Sequence, residues 1–564
     1  MLKKRIPIGI ENYKEIIEYN YYYIDKTLFI KELLDNRSKA FLITRPRRFG
    51  KTLAQSTLQT FFEDARDENG NKIERLHYFE GKKIMEAGEE YLAHAGKYPV
   101  IKLSLKSAKQ PTFEIAYACL VDEIIEEYLR HKYVVDSGVL TETEEKIYFQ
   151  IMNKEADYQQ YATAIKFLSK CLERYHQTQT VILIDEYDVP LEHAWFTGFY
   201  DEMIAFIRSL FESALKTNDH LAFAVITGCL RISRESIFTG LNNLKVVSIL
   251  DSGFGEYFGF TPNEVEEMLD FYEIGHFKED AKRWYDGYLF GESEVYNPWS
   301  IINYVADTLS GTAKFPKPYW SNTSSNSIVR ELVERADTQV RKEIEFLLDG
   351  GSIEKPIHED ITYGDIFSSQ DNLWNFLFFT GYLKKSKERQ DVRTGYLTMS
   401  IPNSEIAYIY ENTVLSWFDK KIRKTNMTPL VKALENCDCE TFEKFLSEQL
   451  LDTISFFDYK ESYYHGFLTG ILKCFDKYVV LSNREMGIGR SDIVMEDYGT
   501  GTRGIILELK VAKKYSEMEK MCDEALDQIE TMEYEHNLRE DGYEEILKYG
   551  VCFFKKRCMV KSKK

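Results

Sequence analysis

The chain has 564 residues, enough for three or four domains at about 150 residues each. Hydrophobic residues make up 44% and charged residues 29%, with 12 prolines and no low-complexity tract, which excludes a disordered, collagen-like or mucin-like chain. The 72 basic against 91 acidic residues leave a formal charge of −19, which excludes a surface coated for non-specific attachment to DNA or anionic membrane, so any nucleic-acid contact has to be local.

The opening Met1-Leu-Lys-Lys-Arg-Ile-Pro-Ile-Gly-Ile10 starts basic, but Glu11 arrives before an apolar core of signal-peptide length. No later run approaches the roughly 18 to 20 uncharged apolar residues of a spanning helix. The expectation is a cytoplasmic chain without a membrane partner. The 9 cysteines are irregularly spaced, and the close pair Cys437 and Cys439 lacks a second pair or a histidine pair at zinc-ligand spacing, so buried thiols are expected.

The spacing predicts a buried strand over 39–44, a loop over 45–52 and a helix over 53–62. The loop, Arg45-Pro46-Arg47-Arg48-Phe49-Gly50-Lys51-Thr52, ends as phosphate-binding loops end, where backbone N–H groups and a helix N-terminus surround phosphate oxygens. Lys51 is then placed to reach the β- and γ-phosphates of ATP, and Thr52 to hold Mg²⁺. Arg45 stands where a first glycine is usual, so the turn must differ there. Arg47 and Arg48 either add charge toward phosphate or point to solvent.

Val181-Ile-Leu-Ile-Asp185-Glu186 is an aliphatic run ending in two carboxylates, as a central parallel strand reads when its C-terminal end meets a metal. Asp185 would bind Mg²⁺ through water and Glu186 would polarise the attacking water. Apolar runs at 100–105, 221–227 and 246–250 complete a five-stranded parallel sheet of the additional-strand type, with Thr227 at the place of a γ-phosphate sensor. Arg231 and Arg234 follow it, either as charge-stabilising arginines or as solvated ones. From 261 to 450 the pattern is mainly helical, with aromatic residues placed as core anchors and a helix-then-hairpin segment near 373–402 that suggests a winged-helix-like module.

Near the C-terminus, Gly504-Ile-Ile-Leu-Glu508-Leu-Lys510-Val511 alternates, placing Ile505, Leu507, Leu509 and Val511 on one face of a strand and Glu508 and Lys510 on the other. A hairpin through 497–502 sets Asp492, on the preceding strand, beside Glu508. Two carboxylates about 4 Å apart repel by about 4 kcal/mol at an effective dielectric near 20, so the pair calls for a shared proton or a cation, with Mg²⁺ or Mn²⁺ the natural occupant. Lys510 would orient the water or stabilise the pentavalent transition state of phosphodiester hydrolysis.

Tyr23-Ile-Asp25-Lys26-Thr27, Thr44-Arg-Pro-Arg-Arg-Phe-Gly-Lys-Thr52, Ile184-Asp-Glu-Tyr-Asp188, Thr227-Gly-Cys-Leu-Arg231, Trp284-Tyr-Asp-Gly287 and Tyr296-Asn-Pro-Trp299 together resemble the signature blocks of bacterial AAA-ATPase-like proteins that carry a C-terminal PD-(D/E)XK nuclease domain. In that family the arginine in place of the first loop glycine is usual. The resemblance implies a P-loop NTPase over 1–260, a mainly helical region over 261–450 and an α/β nuclease-like domain over 451–564. It implies two flanking site residues, Glu461 as the helix carboxylate that joins Asp492 and Glu508 at the metal, and Gln528 beside the catalytic Glu508 and Lys510. His465, one turn after Glu461, faces the same site or is a hydrogen-bonded structural histidine. The basic end, Lys555 to Lys564, tracks a phosphate backbone or is a solvated tail. The reading is an ATPase whose nucleotide state governs a Mg²⁺-dependent nuclease acting on DNA or RNA, with homo-oligomers possible. The alternatives are a nucleotide-dependent switch with an inactive nuclease-like domain, and an ATP-bound assembly protein.

Overall fold

The computed structural model describes residues 4–563 apart from 217, 232–236, 239–243, 312–314, 321–337, 349, 360–362, 364–365, 367–368, 387–394, 411–427, 454–460, 474, 476, 487–488 and 498–502. The chain divides into two units, residues 1–324 with 352–408 and residues 325–351 with 409–564. The region 261–450 is therefore not a separate middle body, because its apolar faces are buried in two different cores. Tyr285, Tyr296, Ile301 and Tyr304 pack with Ile6, Tyr22 and Ile24 of the first unit. Leu430, Leu434, Phe442, Leu446 and Leu450 lie instead under the sheet of the second.

The sheet of the first unit has five parallel strands, β1 (Ala40–Thr44), β2 (Val100–Ser104), β3 (Thr180–Asp185), β4 (Leu221–Gly228) and β5 (Leu244–Val247), in the order β2-β3-β4-β1-β5. All residues of β1 and β3 are buried, as expected of parallel strands covered on both faces. β4 separates the strand that leads into the 45–52 loop from the strand ending in Asp185, which is the additional-strand arrangement. β5 stops at Val247 rather than continuing to 250, because Ser248 turns to donate its N–H to Asp251 Oδ2 at 2.7 Å. The helix after β1 runs Lys51–Phe62, two residues longer than expected, because Gly50 (φ +83°) takes the N-cap position and brings Lys51 and Thr52 into the first turn.

The rest of this unit contains a short hairpin, β6 (Tyr288–Phe290) and β7 (Ser293–Val295), and a three-stranded antiparallel sheet, β8 (Ile353–Pro356), β9 (Lys384–Lys385) and β10 (Tyr396–Ser400), ordered β8-β10-β9. The helix and hairpin expected near 373–402 are the helix Gln370–Phe379 and the pair β9–β10, with β8 added from before the helix.

In the second unit β11 (Tyr478–Met486), β12 (Gly489–Asp497), β13 (Arg503–Val511), β14 (Glu545–Phe554) and β15 (Arg557–Lys563) form one sheet in chain order. Only β13 and β14 are parallel, and the helices Met518–Thr531 and Tyr534–Glu540 cross between them. Ile493, Ile505 and Leu507 meet the helices Cys439–Thr453 and Glu461–Leu472 on one face, while Val494 and Ile506 meet Leu526, Ile529 and Leu538 on the other. Both faces are thus covered. The eight described cysteines are free thiols, five of them buried.

Glu405 is buried in the first unit, accepting from Ser300 Oγ at 2.8 Å and Trp320 N at 2.9 Å. Burial pushes its carboxyl from 4.5 up to about 7. The folded state therefore binds more protons than the unfolded one between these values, and stability falls as pH rises through that window. Glu405→Gln should remove a loss on the order of 2–3 kcal/mol between about pH 4.5 and 7, read from denaturation midpoints against pH. An unchanged slope would contradict the assignment.

Candidate functional site

The residues expected to meet a nucleotide converge at the C-terminal edge of the parallel sheet. Asp185 ends β3 and is 2% exposed. Thr52 Oγ1 donates to its Oδ2 at 2.6 Å, and Thr227 Oγ1, from β4, donates to its Oδ1. One carboxylate thus ties the first turn after the loop to two adjacent strands. Gln55, one turn along the same helix, donates to Ile184 O, Val225 O and Thr227 Oγ1 at 3.1–3.3 Å. Its position in the first helical turns was the only signal for it. Lys51 Nζ donates to Arg45 O and Pro46 O, both at 2.9 Å. Glu186 has a left-handed backbone (φ +52°), donates its N–H to Asp185 Oδ1, and has its carboxyl pushed up by burial and by the Asp185 charge.

The two blocks at the ends of β3 and β4 clasp each other. Asp188 Oδ2 accepts from Cys229 N at 2.7 Å and Leu230 N at 3.1 Å, and Tyr187 Oη donates to Leu230 O at 2.6 Å. A Cβ on Gly228 would sit 2.5 Å from the Tyr187 ring and 2.9 Å from Asp188 Oδ1, so the position requires glycine.

The loop side chains are engaged with protein. Arg45 is fully buried, donating to Val247 O at 3.2 Å and Gly253 O at 3.3 Å, and lies against the rings of Phe258 and Phe290. Its guanidinium fastens the loop to the end of β5, and its carbonyl is one of the two that accept from Lys51. Pro46 lies so close to Gly381 that a Cβ there would be 2.8 Å away. Arg47 pairs with Glu192, to which Tyr363 Oη also donates. Arg48 is exposed and lies with its guanidinium 4.3 Å from the Trp299 ring centre. Phe49 is buried against Tyr288 and Phe290. Arg48 has φ +72°, a conformation that costs a side-chain-bearing residue about 1–2 kcal/mol. Arg231 pairs with Glu359 at 3.4 Å, and Arg234 lies outside the described residues.

In the second unit Ile493 pairs with Leu507, which brings Asp492 and Glu508 side by side on β12 and β13. Asp492 N lies 3.4 Å from Glu508 Oε2, and Asp492 Oδ2 accepts from Leu509 N at 2.8 Å. Glu508 is 2% exposed, and burial followed by the Asp492 charge pushes its carboxyl to about 7. Gln528 bridges the site, its Nε2 donating to Glu508 Oε1 and its Oε1 accepting from Lys510 Nζ at 2.6 Å. Gly550 permits this, because a Cβ there would stand 2.2 Å from Cys522 O and hold the Gln528 helix off the sheet. His465 is a hydrogen-bonded histidine whose Nε2 lies 3.0 Å from the Asp492 carbonyl oxygen. Glu461 opens the helix Glu461–Leu472, but its side chain lies outside the described residues. Among the described residues no three histidine, cysteine, aspartate or glutamate side chains are grouped as a metal site. The fit of a divalent cation rests on two adjacent carboxylates, one carrying excess proton affinity because of its burial and of the other's charge. Lys561 is bonded to Asp523 and Lys563 to Glu530, so part of the basic end is tied to the Met518–Thr531 helix.

Residues 7–238 match the family model described as Predicted AAA-ATPase, and residues 459–563 match that of the PD-(D/E)XK nuclease superfamily. The chain therefore joins a predicted AAA-ATPase domain to a C-terminal domain of the PD-(D/E)XK nuclease superfamily. It is 27% identical over 341 residues to a protein of Azotobacter chroococcum mcd 1 described as an uncharacterized protein in the vnfD 5' region. That match takes in 59% of this chain and 57% of the relative, so the chain spans little more than half of that protein's length. The Walker-type ATPase paby2304 of Pyrococcus abyssi overlays on 73% of this chain and 99% of its own, at 11% identity and a TM-score of 0.33. Among the described residues no helix is long and apolar enough to cross a membrane.

Gly228→Ala should destabilise the first unit by about 1–3 kcal/mol through overpacking against Tyr187 and Asp188. Denaturant midpoints matching wild type would show that the clasp yields freely.

Proposed function

We propose that the protein binds and hydrolyses ATP, and that its nucleotide state controls a C-terminal Mg²⁺-dependent nuclease that cleaves phosphodiester bonds of DNA or RNA. The observation that carries the reading is the presence, in one chain, of two carboxylate clusters, Asp185 at the end of β3 with Thr52 and Thr227, and Asp492 beside the buried Glu508 on the adjacent strands β12 and β13. The hydroxyl and carboxylate pair Thr52 and Asp185 is an oxygen donor set suited to Mg²⁺. In the ATPase domain Lys51 leaves the Arg45 and Pro46 carbonyls for the β- and γ-phosphates, and Thr227, held beside Asp185 at the end of its strand, senses the γ-phosphate. Glu186 takes a proton from the attacking water, a role that its raised proton affinity favours. Arg231, which pairs with Glu359 in the structure, would turn to stabilise the charge that develops on the transferring group.

In the nuclease domain Asp492 and Glu508, with Glu461 from the preceding helix, would hold Mg²⁺ or Mn²⁺. The cation supplies charge neutralisation at the scissile phosphate and an acidified water. Gln528 fixes Lys510 and Glu508 relative to each other, so the lysine presents its ammonium beside the carboxylate at 3.7 Å. The ATPase domain corresponds to 1–260 and the nuclease-like domain to 451–564, and assembly into homo-oligomers belongs to the same reading.

The test is cleavage of a panel of single- and double-stranded DNA and RNA with Mg²⁺ or Mn²⁺, with and without ATP. Lys510→Ala should lower cleavage by about 100-fold or more, and Lys51→Ala should remove its dependence on ATP. Absence of metal-dependent cleavage under every condition, with ATP still bound, would overturn the nuclease and leave a nucleotide-dependent switch.

A further inference from the structure

The phosphate-binding loop carries two left-handed residues, Gly50 at φ +83° and Arg48 at φ +72°. Alternation of this kind turns successive backbone N–H groups toward one side and makes an anion-binding concavity. Glycine adopts the conformation freely, whereas arginine has to be held in it. The described contact of the exposed Arg48 side chain is the Trp299 ring, 4.3 Å from the guanidinium carbon.

Trp299 is itself rigidly placed by sequence. Asn297 caps the helix Pro298–Leu309, its Oδ1 accepting from Ser300 N, and Pro298 is pre-set for the first helical position. Asn297 N donates to Tyr285 O at 3.2 Å, and Trp299 Nε1 donates to Tyr319 O at 3.4 Å. The Tyr296-Asn-Pro-Trp299 block thus delivers an anchored aromatic face to the loop, with Tyr285 of the Trp284-Tyr-Asp-Gly287 block behind it.

We propose that Trp299 is a positioning residue for nucleotide binding, its ring holding the Arg48 side chain and thereby keeping Arg48 in the left-handed backbone that shapes the phosphate loop. The inference rests on the nucleotide-binding reading of that loop and adds a residue some 250 positions away to it.

The test is the affinity of the full chain for ATP with Mg²⁺, by calorimetry, with melting temperature followed alongside. Trp299→Ala should weaken binding about fivefold, and Trp299→Tyr, which keeps a ring, less than about twofold. Arg48→Ala should bind ATP more weakly than Arg48→Gly, because glycine alone needs no holding. Trp299→Ala should have no further effect on affinity when combined with Arg48→Gly. If Trp299→Ala fails to fold, Arg48→Ala at this exposed position decides, because alanine carries the same left-handed cost with no guanidinium for the ring to hold: it should bind ATP about fivefold more weakly than wild type, and wild-type affinity overturns the proposal. An equal loss from Trp299→Ala in both backgrounds also overturns it. Wild-type binding that Lys51→Ala abolishes and Trp299→Ala leaves unchanged removes this inference alone, whereas a wild-type chain that binds no ATP removes the nucleotide reading as well.

Discussion

A carboxylate buried at the end of a central strand constrains the whole first unit. Asp185 is reached by Thr52 from one side and by Thr227 from the other only because β4 lies between β1 and β3. Each hydroxyl donates to a charged acceptor in a site from which water is largely excluded, where such bonds are strong and their loss is costly. Gln55 repeats the stitching one turn deeper, joining the same helix to the backbones of β3 and β4. The left-handed backbone of Glu186 turns the chain away directly after the strand and lets Asp188 and Tyr187 grip the segment that follows Thr227. The first turn after the loop, the end of β4 and the backbone of the candidate catalytic glutamate thus all meet at one strand end.

The second unit solves a related problem differently. Asp492 and Glu508 are neighbouring carboxylates, and it is the buried Glu508 that holds its proton up to about pH 7. Gln528 and Lys510 surround it with donors, and the close approach of the Met518–Thr531 helix to the sheet at Gly550 brings the glutamine within reach.

Much of this was legible in the sequence because it is carried by local patterns. The aliphatic runs gave the strands of the parallel sheet, Gly-Lys-Thr gave the loop and helix, and period-two alternation placed Glu508 and Lys510 on one side of β13. What local pattern does not carry is the choice of partner. Arg47 and Arg48 read as phosphate-facing or solvated charges, yet one meets Glu192 and the other Trp299, residues about 145 and 250 positions further on. Arg45 reads as an obstacle in a glycine's place and is a buried strut to Val247 and Gly253. The split of 261–450 between two units was invisible for the same reason, since amphipathic helices show an apolar face but not which core receives it. Asp188 and Gln55 act through backbone groups of other strands, and no spacing in their own segments marks that.

The most direct measurement is ATP affinity with and without Mg²⁺ for the wild-type chain and Asp185→Asn, a change that keeps the side-chain shape and removes its charge. Mg²⁺ should strengthen wild-type binding by about tenfold or more and leave the variant nearly unaffected. Equal Mg²⁺ dependence in the two proteins would contradict the role given to the Asp185 carboxylate, and with it the organisation of the nucleotide site.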